Sequence, residues 1–123
     1  MTTTLRVDTA GTRGQTAAFS LAGDLDLHTA PVLYPTVEDV LGSHPTVIMD
    51  LTGITFCDSS GLNALIRLRR RAQEAGGDLI LVAPSQQMLR LLSITGAARI
   101  FTIHAGLPEA WNATPDPGTP PTP

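Results

Sequence analysis

The sequence predicts an α/β domain, a mixed sheet with helices packed against it. Two observations lead there. The chain opens with two short apolar stretches, Leu5–Val7 and Thr16–Leu21, separated by a segment that holds Gly11 and Gly14. Such a pattern suits an antiparallel hairpin. Further on come the apolar run Val47–Met49, an amphipathic stretch closed by Gly76-Gly77, and a second apolar run, Leu79–Val82. Strand, helix and strand at this spacing form a βαβ unit, whose crossover makes the two strands parallel.

Each element has its own local reason. In the second strand, Ala17, Phe19 and Leu21 share one face, with the turn placed at Gly11 to Gly14. Thr29 can cap a helix that starts at Ala30-Pro31 and runs to about Leu41, closed by Gly42. Proline is tolerated in a first helical turn because its missing N–H would be unpaired there anyway. Pro35 is less comfortable and is expected to delay or kink the helix. Val47-Ile48-Met49, followed by Asp50-Leu51, reads as a strand buried on both faces. From about Ser60 to Ala75, Leu62, Leu65, Ile66 and Ala72 fall on one helical face. Ser85 caps a third helix, with Met88, Leu89, Leu91, Leu92 and Ile94 expected inward and Gly96 as its stop. Ile100-Phe101 suggests a short last strand, and Leu107 to Trp111 a weak helix.

Composition sets limits on function. At 123 residues, 42% of them hydrophobic, the chain suits one domain with a real core. The eight basic residues, all arginine, face eleven acidic ones, for a net charge of −3. That balance gives no electrostatic reason to expect nucleic acid or an anionic membrane as partner. Cys57 is the single cysteine, so no intramolecular disulfide can form, and His28, His44 and His104 show no ligand spacing. No metal or cofactor is expected. The start of the chain lacks a charged stretch leading into an apolar run, and no apolar run is long enough to span a bilayer. The expectation is a cytoplasmic protein. Residues 1–111 are read as the domain, and Asn112 to Pro123, with five of the ten prolines, as a disordered tail.

The segment that carries chemistry is Phe56-Cys57-Asp58-Ser59-Ser60-Gly61-Leu62, placed between the buried strand and the main helix. In a parallel sheet this edge gathers strand ends and helix N-termini. A hydroxyl there sits beside unpaired N–H groups and the positive end of the helix dipole, which favours a phosphate. Ser59 and Ser60 are therefore candidate phosphate acceptors. The competing reading is structural, since Asp and Ser are also preferred N-caps. Gly61 costs about 1 kcal/mol against alanine within a first helical turn, so it suggests that another backbone must come close. A second acidic site lies at Gly23-Asp24-Leu25-Asp26 and could come near Ser59 if the second strand neighbours the Val47 strand. It too has a bland reading, as an acidic turn with an Asx cap. The Gly-x-Ser-x-Gly elbow of a serine hydrolase is absent, because Cys57 stands two residues before Ser59, and no Walker-type glycine loop appears. Cys57 itself reads as a packing residue. Arg67, Arg69, Arg70 and Arg71 read as a solvated helix face, with an interface rim as the alternative.

Three motifs in order, Gly23-Asp24-Leu25-Asp26 with Thr29-Ala30-Pro31, then Phe56 to Leu62, then Ile94-Thr95-Gly96, resemble the STAS family, and within it the bacterial anti-sigma-factor antagonists. The resemblance spans about residues 4 to 110. It implies a STAS-like mixed sheet of four to five strands with an N-terminal antiparallel hairpin, parallel βαβ units and flanking helices. It also implies a non-enzymatic signalling protein that works by partner switching. The unphosphorylated antagonist binds an anti-sigma factor, itself a serine kinase, and a sigma factor is released. Phosphorylation ends the binding. By the same resemblance the acceptor is Ser59, with Ser60 as the alternative, and the docking surface takes in Asp24, Asp26, Asp58, Ser60, Gly61 and Asn63. Asn63 departs from the family, which often has glycine there, and Pro35 interrupts a helix that many members keep whole. The free protein is expected to be a monomer, because the exposed helix faces look polar. The alternative is a STAS scaffold or ligand-sensing module that phosphorylation does not regulate.

Overall fold

The computed structural model describes residues 4–113. The chain runs β1 (Leu5–Arg13), β2 (Thr16–Leu25), α1 (Ala30–Glu38), β3 (Thr46–Cys57), α2 (Ser59–Glu74), β4 (Leu79–Val82), α3 (Gln86–Thr95), β5 (Thr102–His104) and α4 (Leu107–Ala113), with a single 3-10 turn at Ala97–Arg99. The five strands lie side by side in sequence order. β1 and β2 are antiparallel, and every later neighbour is parallel. This is the mixed α/β sheet expected from the sequence.

Residue alternation in β3 shows why the sheet needs cover on both sides. Val47, Met49 and Leu51 point into the main core, with Leu65, Leu68 and Ala72 of α2 and Leu33 and Val37 of α1. Ile48 points the other way, into a smaller cluster with Ala18, Ile80, Val82 and Ala110 of α4. A strand with apolar side chains on both faces stays in place only when both faces are dry.

Several expectations are corrected. The hairpin turn is Gly14-Gln15, not Gly11 to Gly14. Gly14 has φ +60 at the first central position, where a tight two-residue turn wants glycine. Gly11 sits inside β1 at the register shift after Thr9. α1 stops at Glu38 rather than Leu41, and three short turns carry the chain on to His44. Thr29 does not cap it with a side-chain bond. Pro35 neither delays nor ends the helix, and its carbonyl still accepts from Asp39 N–H.

β3 is far longer than Val47–Leu51, because β2 runs on to Leu25 and pairs with it as far as Cys57. Phe56 and Cys57 therefore belong to the strand, and Asp58 alone separates it from α2. α2 begins at Ser59, one residue early. In α3, Met88 and Leu92 are buried, but Leu89 and Ile94 are exposed, Ile94 at 76%. The last strand is Thr102–His104 instead of Ile100-Phe101; Phe101 packs into the core just before it. α4 carries the helix two residues past Trp111, into Asn112 and Ala113. The rest of the expected tail lies outside the described residues.

Leu65 is fully buried at the centre of the α2 face. Leu65→Ala should destabilise the fold by about 2–5 kcal/mol. A lower urea midpoint with an unchanged slope would show it.

Candidate functional site

The site grows from the paired ends of β2 and β3. Asp24 stands opposite Phe56, and Leu25 opposite Cys57. At the next step the backbone N–H of Asp58 donates to Leu25 O at 3.1 Å, and the chain turns into α2. The Asp58 side chain then accepts from Gly61 N at 2.9 Å, and the first intrahelical bond runs from Leu62 N to Asp58 O. Asp58 is thus the N-cap, in extended backbone, and its carboxylate meets the positive helix end.

The cap is Asp58. Ser59, the first helical residue, is exposed, and Ser60 is half-buried. Neither serine hydroxyl caps the helix. The amides of both residues precede the first intrahelical bond, so the Ser59 hydroxyl lies among N–H groups able to meet an anion.

Gly61 is accounted for inside the fold. A Cβ there would fall well inside contact distance of the Leu25 carbonyl, so a backbone does come close, but it is the chain's own β2. Gly61 is buried, which leaves it no side chain and no surface to offer a partner directly. Its contribution to docking is to let α2 lie down on the strand.

The acidic turn does reach this edge. Asp24 accepts from the Thr55 hydroxyl at 2.7 Å. Asp26 Oδ1 accepts from the N–H groups of His28 and Thr29, at 2.9 and 3.1 Å, in an Asx-type turn. The Thr29 hydroxyl ties the turn from inside, donating to Asp24 O and accepting from Asp26 N–H. Asp24, Asp26 and Asp58 are each half-buried at the end of the β2–β3 pair. Leu27 and Phe56 add exposed apolar surface beside them, at 65% and 45%. Asn63 is exposed one helical turn beyond Ser59.

Sequence reasoning missed Gln87. Its carboxamide closes on the Cys57 peptide, Nε2 donating to Cys57 O at 2.7 Å and Oε1 accepting from Cys57 N–H at 3.0 Å. β4 pairs with β3 only as far as Asp50, so beyond that point this side of β3 has no strand partner. Gln87 fills the gap at Cys57 and ties α3 to the residue before the cap. A glutamine in a first helical turn carries no mark of a partner 30 residues upstream.

The four arginines of α2 divide. Arg71 pairs with Glu38 and Glu74, Arg69 lies 3.6 Å from Asp78, and Arg67 stacks 4.6 Å over the Tyr34 ring. The sequence motif Ile94-Thr95-Gly96 closes α3, with Gly96 in the left-handed conformation at φ +79.

With this geometry in place, comparison with known proteins assigns the class. A family model of the STAS domain matches residues 8–110, and the chain belongs to that family. It is 29% identical over 86 residues to an anti-sigma-B factor antagonist of Bacillus subtilis, covering 70% of this chain and 79% of that one. An anti-sigma factor antagonist structure from Mycobacterium paratuberculosis is similar with a TM-score of 0.78 at 25% identity, covering 89% of this chain and 92% of that one. The phosphorylated form of the Bacillus protein SpoIIAA shares the fold, with a TM-score of 0.71 at 23% identity over 87% of this chain and 97% of that one. No helix among the described residues is long and apolar enough to cross a membrane.

Two outcomes follow. In an open helix, glycine to alanine would stabilise, whereas Gly61→Ala should destabilise by about 1–3 kcal/mol because α2 must lift off Leu25. Thermal or urea unfolding reads the sign. Burial pushes the Cys57 thiol up to about 12, with the Asp58 carboxylate adding to the rise. The folded chain therefore keeps the proton where an unfolded chain releases it. The associated stability is intact below about 9 and falls as pH climbs towards about 12. Cys57→Ala should flatten that fall, and iodoacetamide at neutral pH should label the wild type only once urea has unfolded it.

Proposed function

We propose that this chain is an anti-sigma-factor antagonist that works by partner switching, with Ser59 as the phosphate acceptor. One observation carries the reading. In the segment from Cys57 to Gly61, the thiol is buried, Asp58 is used as the cap and Gly61 is used in packing, while Ser59 alone is exposed. A residue in that position can be modified without removing any contact that holds the fold. The family membership and the names of the relatives support the same reading. SpoIIAA, which shares the fold, has been solved in phosphorylated and unphosphorylated forms.

In this reading the unphosphorylated chain docks in the cytoplasm, as a monomer, on an anti-sigma factor that is also a serine kinase. The docking face comprises Asp24, Asp26, Asp58, Ser60 and Asn63 around Ser59, with Gly61 shaping it from beneath. While the chain occupies the anti-sigma factor, the sigma factor is free. The kinase then transfers the γ-phosphoryl group of ATP to Ser59 Oγ. The hydroxyl proton leaves and ADP is the second product. The chain itself supplies no catalytic group.

Electrostatics explains the release. Phosphoserine carries about −1.5 to −2 charges near pH 7. Three carboxylates already stand at this edge, so the modified face becomes strongly acidic. A nucleotide site that still holds ADP phosphates repels it, and the added bulk spoils a close fit. Within the chain the phosphate is tolerated, because it sits at the positive end of α2. The effect falls on affinity and leaves the fold in place.

Incubation with the anti-sigma-factor kinase of its own cell and ATP, followed by mass spectrometry, should find one phosphate, on Ser59. Ser59→Ala should stay unmodified. A phosphate on Ser60 or elsewhere, or none from a kinase active on another substrate, would overturn the assignment and leave the scaffold or sensor reading.

A further inference from the structure

A groove of about 480 Å³ lies between α1 and α2, next to the two serines. Leu27, Pro31 and Tyr34 form one wall, and Ser60, Asn63 and Arg67 the other. The α2 residues recur at three- and four-residue spacing, so they make a continuous stripe that starts one residue after Ser59. The opposite wall is stiff. Pro31 and Pro35 stand one turn apart on α1, and both line the groove.

Arg67 is the cation of this groove, and it is held unlike Arg69 and Arg71. Arg69 and Arg71 approach carboxylates of the chain. The Arg67 guanidinium carbon lies 4.6 Å over the centre of the Tyr34 ring, and the residue is exposed and pairs with no carboxylate among the described residues. A cation held over an aromatic face is positioned by it, and an exposed guanidinium keeps an N–H edge for another partner. That edge matches a carboxylate, which it can bind in a two-point hydrogen bond. Leu27, at 65% exposure, supplies an apolar contact at the same groove.

We infer that the groove is a docking site for an extended segment of a protein partner. That segment carries an acidic side chain for Arg67 and an apolar side chain for the Leu27–Pro31 wall. The opposite charge assignment applies at the Ser59 face, where Asp24, Asp26 and Asp58 call for a basic counterpart. A partner that engages both surfaces reads one acidic patch and one cation set over an aromatic ring, which fixes its orientation as well as its affinity. Asn63 lies at the junction of the two surfaces and bears on which partner is accepted. This inference rests on the preceding reading only for who the partner is.

The test needs no partner in hand. Acetylated, amidated octapeptides with a leucine and an aspartate two residues apart are titrated into the 15N-labelled chain, with asparagine in place of aspartate as control. The aspartate peptide should give saturable shifts at Leu27, Tyr34, Asn63 and the Arg67 Nε–H, weakening steeply with added salt. Arg67→Gln should weaken binding about tenfold, with the amide spectrum of the folded chain retained. Arg67→Lys, which keeps the charge without the fork, should weaken it as well. Equal shifts from the asparagine peptide or from inorganic phosphate would overturn the inference. So would shifts at the same residues on raising the concentration of the chain alone, the mark of a second copy in the groove. Because no kinase is involved, failure here leaves the Ser59 assignment standing, and failure at Ser59 leaves the groove standing.

Discussion

The carbonyl oxygen of Leu25 decides where α2 begins and at what angle it leaves the sheet. It ends the pairing of β2 with β3 by accepting the Asp58 N–H, and it lies against the bare Cα of Gly61. Those two contacts, on either side of one turn of backbone, set the angle at which α2 leaves the sheet. The Asp58 carboxylate then closes the turn on Gly61 N–H. With the cap and the close contact assigned to Asp58 and Gly61, Ser59 has no structural duty between them and points to solvent. A free hydroxyl at a helix start is thus a by-product of how tightly the rest of the turn is built.

The same junction gathers the charge. Because β2 and β3 run parallel and end together, the acidic turn after β2 and the cap after β3 share one edge. Asp24 is held by Thr55, Asp26 by its own turn, and Asp58 by the helix end. These carboxylates are held in place, so they act as a preformed acidic field. Under the Ser59 proposal, a phosphate added to such a field would change what can approach far more than it would change the chain. On the other side of β3, Gln87 clasps the Cys57 peptide and keeps the strand end from fraying where β4 has already stopped. Behind Ser60, α1 and α2 leave a groove with one stacked arginine. The serine therefore stands between an acidic edge and a groove that holds a cation.

Much of this was legible in the residues. The hairpin, the βαβ unit and the inward stripe of α2 all follow from apolar spacing, and the structure has each of them. β3 was not legible in full. Asp50, Thr52 and Gly53 look like the end of a strand, yet pairing with β2 carries the strand through them. Local preference yields there to a neighbour that is distant in sequence. Thr29 misled for a related reason, since its hydroxyl serves the turn before the helix rather than the helix itself. Ile94 looked like core because it continues an apolar pattern, but α3 rotates it to the outside. At the site, the types of residue were readable and their roles were not. Asp, Ser and Ser before a helix allow more than one choice of cap. Only the geometry at Asp58 separates them. The Gln87 clasp and the Tyr34–Arg67 stack join residues about 30 positions apart, and neither has a local signature.

Ser59 is the residue of the turn that the fold leaves exposed and unused, so a phosphate there is expected to alter a surface and not a structure. The most direct measurement compares 1H–15N spectra and amide hydrogen exchange of the chain with serine or phosphoserine at position 59, the latter incorporated during translation. Shifts should be confined to the start of α2 and the acidic turn after β2, with unchanged protection in β3, β4 and the centre of α2. Widespread shifts, or a loss of protection in those core elements, would contradict that expectation.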